Sequence, residues 1–190
     1  RLYQLHGLKA RLATAMPSDT DPLFVTQAWD YYYDDSRHYH YLGDVVLRGE
    51  NKATGNNKAG FVAIVGGRWQ MGISTDDSVK TYVMQFKCDM FLQFALVSAG
   101  QIAQAVCLKG KVTRCALTRH SGSTDFYYVE TVHRESLYDF AEAFADYGFI
   151  DAMLLTGVND GNTFYRSVDE GVHDSLRYHE GARNLLIFYQ

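Results

Sequence analysis

The stretch 27–41 concentrates side chains that could bind a sugar. It reads QAWDYYYDDSRHYHY and combines aromatic rings with carboxylates, an arginine and two histidines. Sugars stack their C–H surfaces on aromatic faces, while their hydroxyls bond to carboxylates and amides. The composition therefore indicates a carbohydrate site. The alternative is a strand hairpin whose rings pack on the core and whose tyrosine hydroxyls face water.

The two histidines of this stretch raise the question of a metal ion. His38 and His40 are two residues apart, so on a strand they share a face and can chelate a metal. Asp30, Asp34 and Asp35 are possible further ligands. Without a longer spacing pattern, however, satisfied surface histidines are the commoner outcome. We therefore predict no metal site and no cofactor.

A second stretch, 136–165, predicts a helix, a buried strand and a polar turn. Ser136 can cap the helix, and Gly148 follows its last turn, where the left-handed position favours glycine. The apolar run 152–155 is typical of a strand buried on both faces. The polar turn 156–162 follows this strand, and we expect the end of the strand to lie at a functional site. The helix itself is predicted by apolar residues at helical spacing, namely Leu137, Phe140, Ala141, Phe144 and Ala145.

The remaining apolar runs predict strands. In chain order these runs are 2–14, 23–26, 42–48, 61–65, 68–73, 79–86, 90–108 as two strands around a turn, 111–118, 126–132 and 184–189. The polar segments 50–60 and 166–183 predict loops. We expect an α+β fold in a single domain, 1–190. It would have one curved, mixed but mostly antiparallel sheet, with the main helix, 136–147, packed on it.

Composition limits the function classes. A net charge of −4 gives no basic footprint for nucleic acid. Residues 90–108 lack charge, but three glutamines argue against a membrane span. Three cysteines are too few for a disulfide scaffold. The chain starts at Arg1 without a methionine or signal peptide, which is typical of a mature or trimmed chain.

The second stretch also carries a family resemblance. Its order Leu-Tyr-x-Phe-Ala-x-x-Phe-x-x-Tyr-Gly-x-x-Asp-Ala-x-x-Leu, with a polar turn and Thr-Phe-Tyr after it, resembles the C-terminal half of the phosphodiester glycosidases. This family includes the lysosomal uncovering enzyme, which removes N-acetylglucosamine from a sugar phosphodiester. The family's strand ends in an Asp-Gly-Gly-Gly-Ser turn. Here Thr156 stands at the Asp position, Gly157, Val158 and Asn159 follow, and Asp160 falls where the serine would be.

Three further segments align with family motifs. Residues 27–30 (Gln-Ala-Trp-Asp) replace an Asn-Ala/Gly-Gly-Phe step, and residues 91–94 (Phe-Leu-Gln-Phe) replace Gln-Ser/Ala-Gly-Pro. Residues 114–117 (Arg-Cys-Ala-Leu) are similar to the family's Arg-Thr-Ala-Ile, whose arginine faces the anionic substrate. A guanidinium suits a phosphodiester because its planar fork can pair two oxygens at once. The alternative for Arg114 is a structural arginine paired with a nearby carboxylate.

The resemblance implies an extracytoplasmic glycosidase-like hydrolase that hydrolyses or recognises a sugar phosphodiester in a glycan. The catalytic residues it implies are Arg114, Asp160 and Asp30, and the substrate-binding residues are Gln27, Trp29, Thr156, Gly157, Asn159 and His173. A threonine cannot act unaided as a general base at neutral pH. One alternative is therefore a non-catalytic relative that binds carbohydrate or a cell-surface partner through 27–41. Another is an unrelated β-rich domain.

Overall fold

The structure, a computed structural model, describes residues 1–15, 22–55, 59–103, 110–156 and 184–190, and the backbone of Phe164–Ser167 and Gly171–His173. Its first strands are β1 (Leu2–Gln4), β2 (Lys9–Ala13), β3 (Phe24–Gln27), β4 (Tyr31–Tyr33), β5 (Tyr39–Tyr41), β6 (Val45–Leu47), β7 (Glu50–Ala53), β8 (Gly60–Val65) and β9 (Arg68–Ile73). Helix α1 (Ser78–Gln85) precedes β10 (Asp89–Gln93), β11 (Ala95–Ser98), β12 (Gln101–Ile102), β13 (Cys115–His120) and β14 (Phe126–Glu130). Helix α2 (Leu137–Asp146) precedes β15 (Phe149–Leu155), β16 (Phe164–Ser167), β17 (Gly171–His173) and β18 (Leu185–Tyr189).

The strands form three sheets and a short hairpin, so the expectation of one curved sheet was wrong. The first sheet has the order β1-β14-β13-β15-β11-β12, the second β7-β6-β10-β8-β9, and the third β17-β16-β3-β18-β2. Strands β4 and β5 pair with each other. The pairings among the described strands are antiparallel. The fold is thus α+β but dominated by sheets.

The chain passes from the second sheet to the first at Phe94. The residues before it belong to β10, and those after it belong to β11. The Phe94 N–H bonds to the side-chain oxygen of Gln93 at 3.0 Å, while its carbonyl accepts from the backbone N–H of Leu154 at 2.9 Å. The prediction of two strands around the turn 98–101 was therefore right in part. The strand before the turn divides at Phe94 into β10 and β11, which belong to different sheets, and β12 follows the turn. Residues 104–108 lie outside the described residues.

Helix α2 confirms the sequence interpretation. The Ser136 hydroxyl accepts from the backbone N–H of Asp139 at 2.9 Å, and Gly148 has a φ of 80°. The helix buries Leu137, Phe140, Ala141 and Phe144. These residues pack against β11 and β15, so α2 covers one face of the first sheet.

The prediction of a strand at 79–86 was wrong, because these residues form α1. The apolar residues of this segment alternate as in a strand, but Val79 and Val83 are also spaced i, i+4 and share one face of a helix. On that face, Val83 packs against Val46 and Met90. Two predicted loops also contain strands, at Glu50–Ala53 and at β16 and β17. Within the described residues, no helix is long and apolar enough to cross a membrane.

The third sheet packs on the face of the first sheet opposite α2. Phe24 on β3 contacts Tyr128 on β14, with ring centroids 4.9 Å apart, and Phe188 on β18 at 5.6 Å. At one edge of this sandwich, the backbone N–H of Thr156 donates to the carbonyl of Ala28 at 3.1 Å. The ends of β3 and β15 therefore meet at the same edge.

Gly60 allows this edge to close. A β-carbon there would lie 2.6 Å from both the Gln93 carbonyl oxygen and the Met153 sulfur. We expect Gly60→Ala to lower the free energy of unfolding by about 1–3 kcal/mol, because the backbone cannot yield. Gly72→Ala is the matched control, since its β-carbon would meet only the Phe61 ring, at 3.3 Å. Equal urea midpoints for the two variants would contradict this reading.

Candidate functional site

Four polar side chains gather where β3, β10 and β15 end and β18 begins. We call them the polar cluster: Asp30, Gln93, Thr156 and Asn184. Gln93 and Asn184 are fully inaccessible, whereas Asp30 and Thr156 are half-buried. The predicted Gln27 is also buried, but it shares the strand face of Val25, opposite the Phe24 face that packs on the first sheet. Buried polar groups are unusual enough to require a structural or functional reason.

Hydrogen bonds connect the cluster across long sequence separations. The Thr156 hydroxyl donates to the carboxylate of Asp30, 126 residues away. The side-chain N–H of Gln93 approaches the same hydroxyl oxygen at 3.4 Å. The structure thus brings together the predicted site residues Asp30 and Thr156. The Asp30 carboxylate is held at the end of β15 by the Thr156 hydroxyl.

Asn184 supports the other side of the cluster. Its side-chain N–H donates to the Trp29 carbonyl at 2.8 Å. Its backbone carbonyl accepts from the backbone N–H of Ala28 at 2.7 Å. The side-chain oxygen of Asn184 is buried and has no hydrogen-bond partner among the described residues. An orphaned buried acceptor of this kind costs free energy unless a ligand or water satisfies it.

Arg114 lies next to the cluster at the same sheet edge. Cys115 pairs with Leu155, so Arg114 and Thr156 each lie one residue beyond that pair. Residues directly opposed in antiparallel strands have Cα atoms about 4.5–5.5 Å apart. The Arg114 guanidinium donates to the carbonyls of Glu135 at 2.9 Å and Gly110 at 3.1 Å.

The charge of Arg114 is not neutralised by any carboxylate of the described residues. Its guanidinium donates to two backbone carbonyls of the described residues. Partial burial lowers the pKa of Arg114, yet a guanidinium stays protonated in proteins. A half-buried positive charge with neutral supports is suited to receive an anion.

Cys115 follows Arg114 at the start of β13 and is buried in the core, where it cannot act as a nucleophile. Its thiol is buried and lies 3.7 Å from the Leu155 carbonyl oxygen. Burial, together with the charges of Glu130 and Asp30, raises the pKa of the Cys115 thiol to about 12. The thiol is therefore protonated at neutral pH and is excluded as a thiolate nucleophile.

The aromatic stretch divides into a core part and an exposed part. Trp29 is fully inaccessible and packs against Phe91 and Tyr41, with centroids 6.1 Å away in each case. Its predicted role as a sugar-stacking ring is therefore corrected to that of a core side chain. Tyr32 and Tyr33 on the β4–β5 hairpin are about half exposed, at 48% and 51%.

The two histidines of this hairpin, His38 and His40, contact the side chain of Asp34 in the same hairpin. One oxygen of Asp34 faces a ring nitrogen of His38 at 3.2 Å and of His40 at 3.0 Å. These bonds hold the pKa of Asp34 below its usual range, with the His40 contact contributing most. In the part of the chain that the structure describes, no group of three or more potential ligands is arranged to hold a metal ion.

Several predicted site residues lie outside the described residues. These are Gly157, Asn159, Asp160 and the side chain of His173. Conversely, the sequence interpretation did not assign Gln93 or Asn184 to the site. An amide inside the uncharged run 90–108, and another just before the apolar run 185–189, were the available signals.

The fold has solved counterparts at low sequence identity. No family profile matches the chain, and no curated protein matches it. The catalytic domain of zebrafish N-acetylglucosamine-1-phosphodiester alpha-N-acetylglucosaminidase, auto-inhibited by its pro-peptide, is similar with a TM-score of 0.65 and 12% identity, covering 100% of this chain and 76% of that one.

A hypothetical protein from Synechocystis is also similar, with a TM-score of 0.61 and 10% identity. That match covers 97% of this chain and 57% of the other. At these identities the likeness concerns the fold alone. The chain therefore has a fold similar to that of a phosphodiester glycosidase catalytic domain.

Proposed function

We propose that this chain is a divergent phosphodiester glycosidase that hydrolyses a sugar phosphodiester in a glycan at the polar cluster. One observation carries the proposal. Arg114, whose guanidinium is held by carbonyls, lies opposite Thr156 just beyond the last pair of β13 and β15, and the Thr156 hydroxyl bonds to Asp30. A cation for the phosphate and a carboxylate for the sugar thus occupy one edge.

The chemistry assigns a separate role to each group. Arg114 pairs with the non-bridging phosphate oxygens and stabilises the negative charge that grows as the bond to the sugar breaks. Asp30 activates a water that attacks the sugar carbon, or attacks it directly. The phosphomonoester leaves with the bonding electrons and needs no proton from the protein, since its second pKa is about 6.

The remaining groups of the cluster orient these two. The Thr156 hydroxyl fixes the Asp30 carboxylate, which supplies the acid that the family has at position 156. The buried Asn184 holds the backbone on which Asp30 stands, through its bond to the Trp29 carbonyl. Gln27, Gly157, Asn159 and His173 remain proposed substrate contacts, and Asp160 a proposed second acid.

Asp30→Asn tests this assignment. We expect hydrolysis of a chromogenic N-acetylglucosaminyl phosphodiester to fall by about 10²-fold or more, because an amide cannot act as base or nucleophile. Asparagine still accepts from Thr156, so the melting temperature should hold. Asp35→Asn, on an exposed carboxylate in the turn between β4 and β5, is the matched control. An Asp30→Asn variant with wild-type turnover would overturn the role of Asp30.

A second candidate is recognition without catalysis. It is favoured by Thr156, which cannot act unaided as a general base. It is also favoured by the exposed rings of Tyr32 and Tyr33 on β4, the strand that follows Asp30. In that case a glycan array would show binding to a phosphodiester glycan, while a panel of such substrates would show no turnover. Absence of binding to any sugar would count against both candidates.

A further inference from the structure

A second cleft lies at the other end of the first sheet. Three turns converge there: the β1–β2 turn, the Gly66–Gly67 turn between β8 and β9, and the β13–β14 turn. From Cys115 to His120, strand β13 rises roughly 17 Å, so the cleft is well separated from the polar cluster. The Leu5 N–H donates to the Phe126 carbonyl at 2.8 Å and joins two of the turns.

The cleft has the dimensions of a small-ligand site. Its volume is about 630 Å³, within the usual range for such pockets. Trp69 and Phe126 form one wall, with parallel rings 4.8 Å apart at an angle of 9°. Trp69 also packs against the buried Phe188, with ring centroids 4.5 Å apart, so the wall is joined to the core. Trp69 and Phe126 are both partly exposed, and these exposed parts of the rings are the aromatic surface at the opening.

Two cationic side chains lie on the rim of the cleft. Lys9 and Arg68 line the cleft, are exposed, and form no ion pair with the described residues. The stem of Lys9 lies along Gly67, where an added β-carbon would be 3.3 Å from its Cγ. The stem is thus supported by the turn while its ammonium group stays in water.

The carboxylate that lines the cleft is already occupied. Asp125 accepts from Gln4 at 2.7 Å and faces a ring nitrogen of His6 at 2.8 Å. These contacts hold its pKa below the usual range, with the Gln4 bond contributing most. Asp125 stays negatively charged at neutral pH, but its two oxygens are engaged by Gln4 and His6. With two cations, Lys9 and Arg68, against this one carboxylate, the lining of the cleft is cationic in a chain of net charge −4.

We propose that this cleft binds an acidic saccharide, with Lys9 and Arg68 receiving its oxyanion and the Trp69–Phe126 wall packing against its ring. Phosphate, sulfate and carboxylate groups share the chemistry that two cations recognise. Aromatic surface beside them favours a sugar ring over a bare anion. The site is separate from the polar cluster and does not depend on catalysis there.

The two tryptophans of the chain report on different places, which gives a direct test. Trp69 lines the cleft, whereas Trp29 is buried beside the polar cluster. In protein labelled with fluorotryptophan, glucose-6-phosphate or glucuronate should shift the Trp69 fluorine resonance saturably and leave that of Trp29 unchanged. Trp69→Phe assigns the resonance.

Variants distinguish binding of these acidic sugars at the cleft from binding elsewhere on the protein. We expect the double change Lys9→Ala and Arg68→Ala to weaken binding about tenfold or more. Arg134→Ala, on an exposed arginine elsewhere, and Arg114→Ala should leave it unchanged. The proposal is overturned if neither acid gives a saturable shift, if the double variant binds like wild type, or if glucose or inorganic phosphate binds equally well.

Discussion

Arg114→Ala is expected to lower kcat/KM for a sugar phosphodiester by about 10²–10³-fold, the usual effect of removing one donor to a developing oxyanion. Arg114→Lys should recover only part of this loss, because a lysine cannot pair two phosphate oxygens with a planar fork. Initial rates on a chromogenic phosphodiester measure the effect. Arg134→Ala, an exposed arginine outside the cluster, should match wild type.

The support that Arg114 gives to the backbone must be separated from its role in the site. Its bonds to the Glu135 and Gly110 carbonyls will also be lost in the alanine variant. Rates are therefore compared per folded molecule, with circular dichroism melts of each variant. A lower melting temperature combined with an unchanged rate would make Arg114 a structural residue and contradict the proposal.

Phe144→Ala is expected to lower the free energy of unfolding by about 3–5 kcal/mol. Phe144 is 4% exposed, and its ring centroid lies 4.5 Å from that of Phe140 and 5.5 Å from that of Phe149. Truncation leaves a cavity between α2 and β15 that the packed sheet cannot close. Urea unfolding measures the loss.

The control for this prediction is another phenylalanine in a different setting. Phe86 follows α1 and is 55% exposed, so Phe86→Ala should change stability by no more than about 0.5 kcal/mol. If both variants unfold at the same urea concentration, the face of α2 does not contribute the core contacts described here.

Local signals predicted local structure well. The cap at Ser136, the glycine at 148 and the apolar spacing between them locate α2 from residues within the segment. The Gly66–Gly67 turn likewise fixes the β8–β9 hairpin, whose strands are neighbours in sequence. In both cases the partners lie within a few residues of one another.

Non-local pairing was not available from the sequence. Strands β10 and β11 are separated by a single residue, yet they belong to different sheets, because their partners come from distant parts of the chain. Alternation at 79–86 is compatible with both a strand and a helix, and only packing of Val83 on the second sheet decides between them.

The candidate site was predictable in part for the same reason. Arg114 and Thr156 were indicated by the resemblance to family motifs, but the bond between Thr156 and Asp30 joins positions that no spacing relates. Sequence could not tell that Trp29 faces the core, since a ring in an aromatic stretch can turn either way. Gln93 and Asn184 carry no signal beyond a polar residue within or beside an apolar run.

Phosphorus NMR of the full chain with an N-acetylglucosaminyl methyl phosphodiester observes the proposed reaction itself. We expect the phosphodiester resonance to diminish as a phosphomonoester resonance grows, and Arg114→Ala to suppress this change. Broadening of the phosphodiester signal with no product would indicate recognition alone. A spectrum that wild-type protein leaves unchanged, in both position and width, would contradict a phosphodiester site at Arg114 and Asp30.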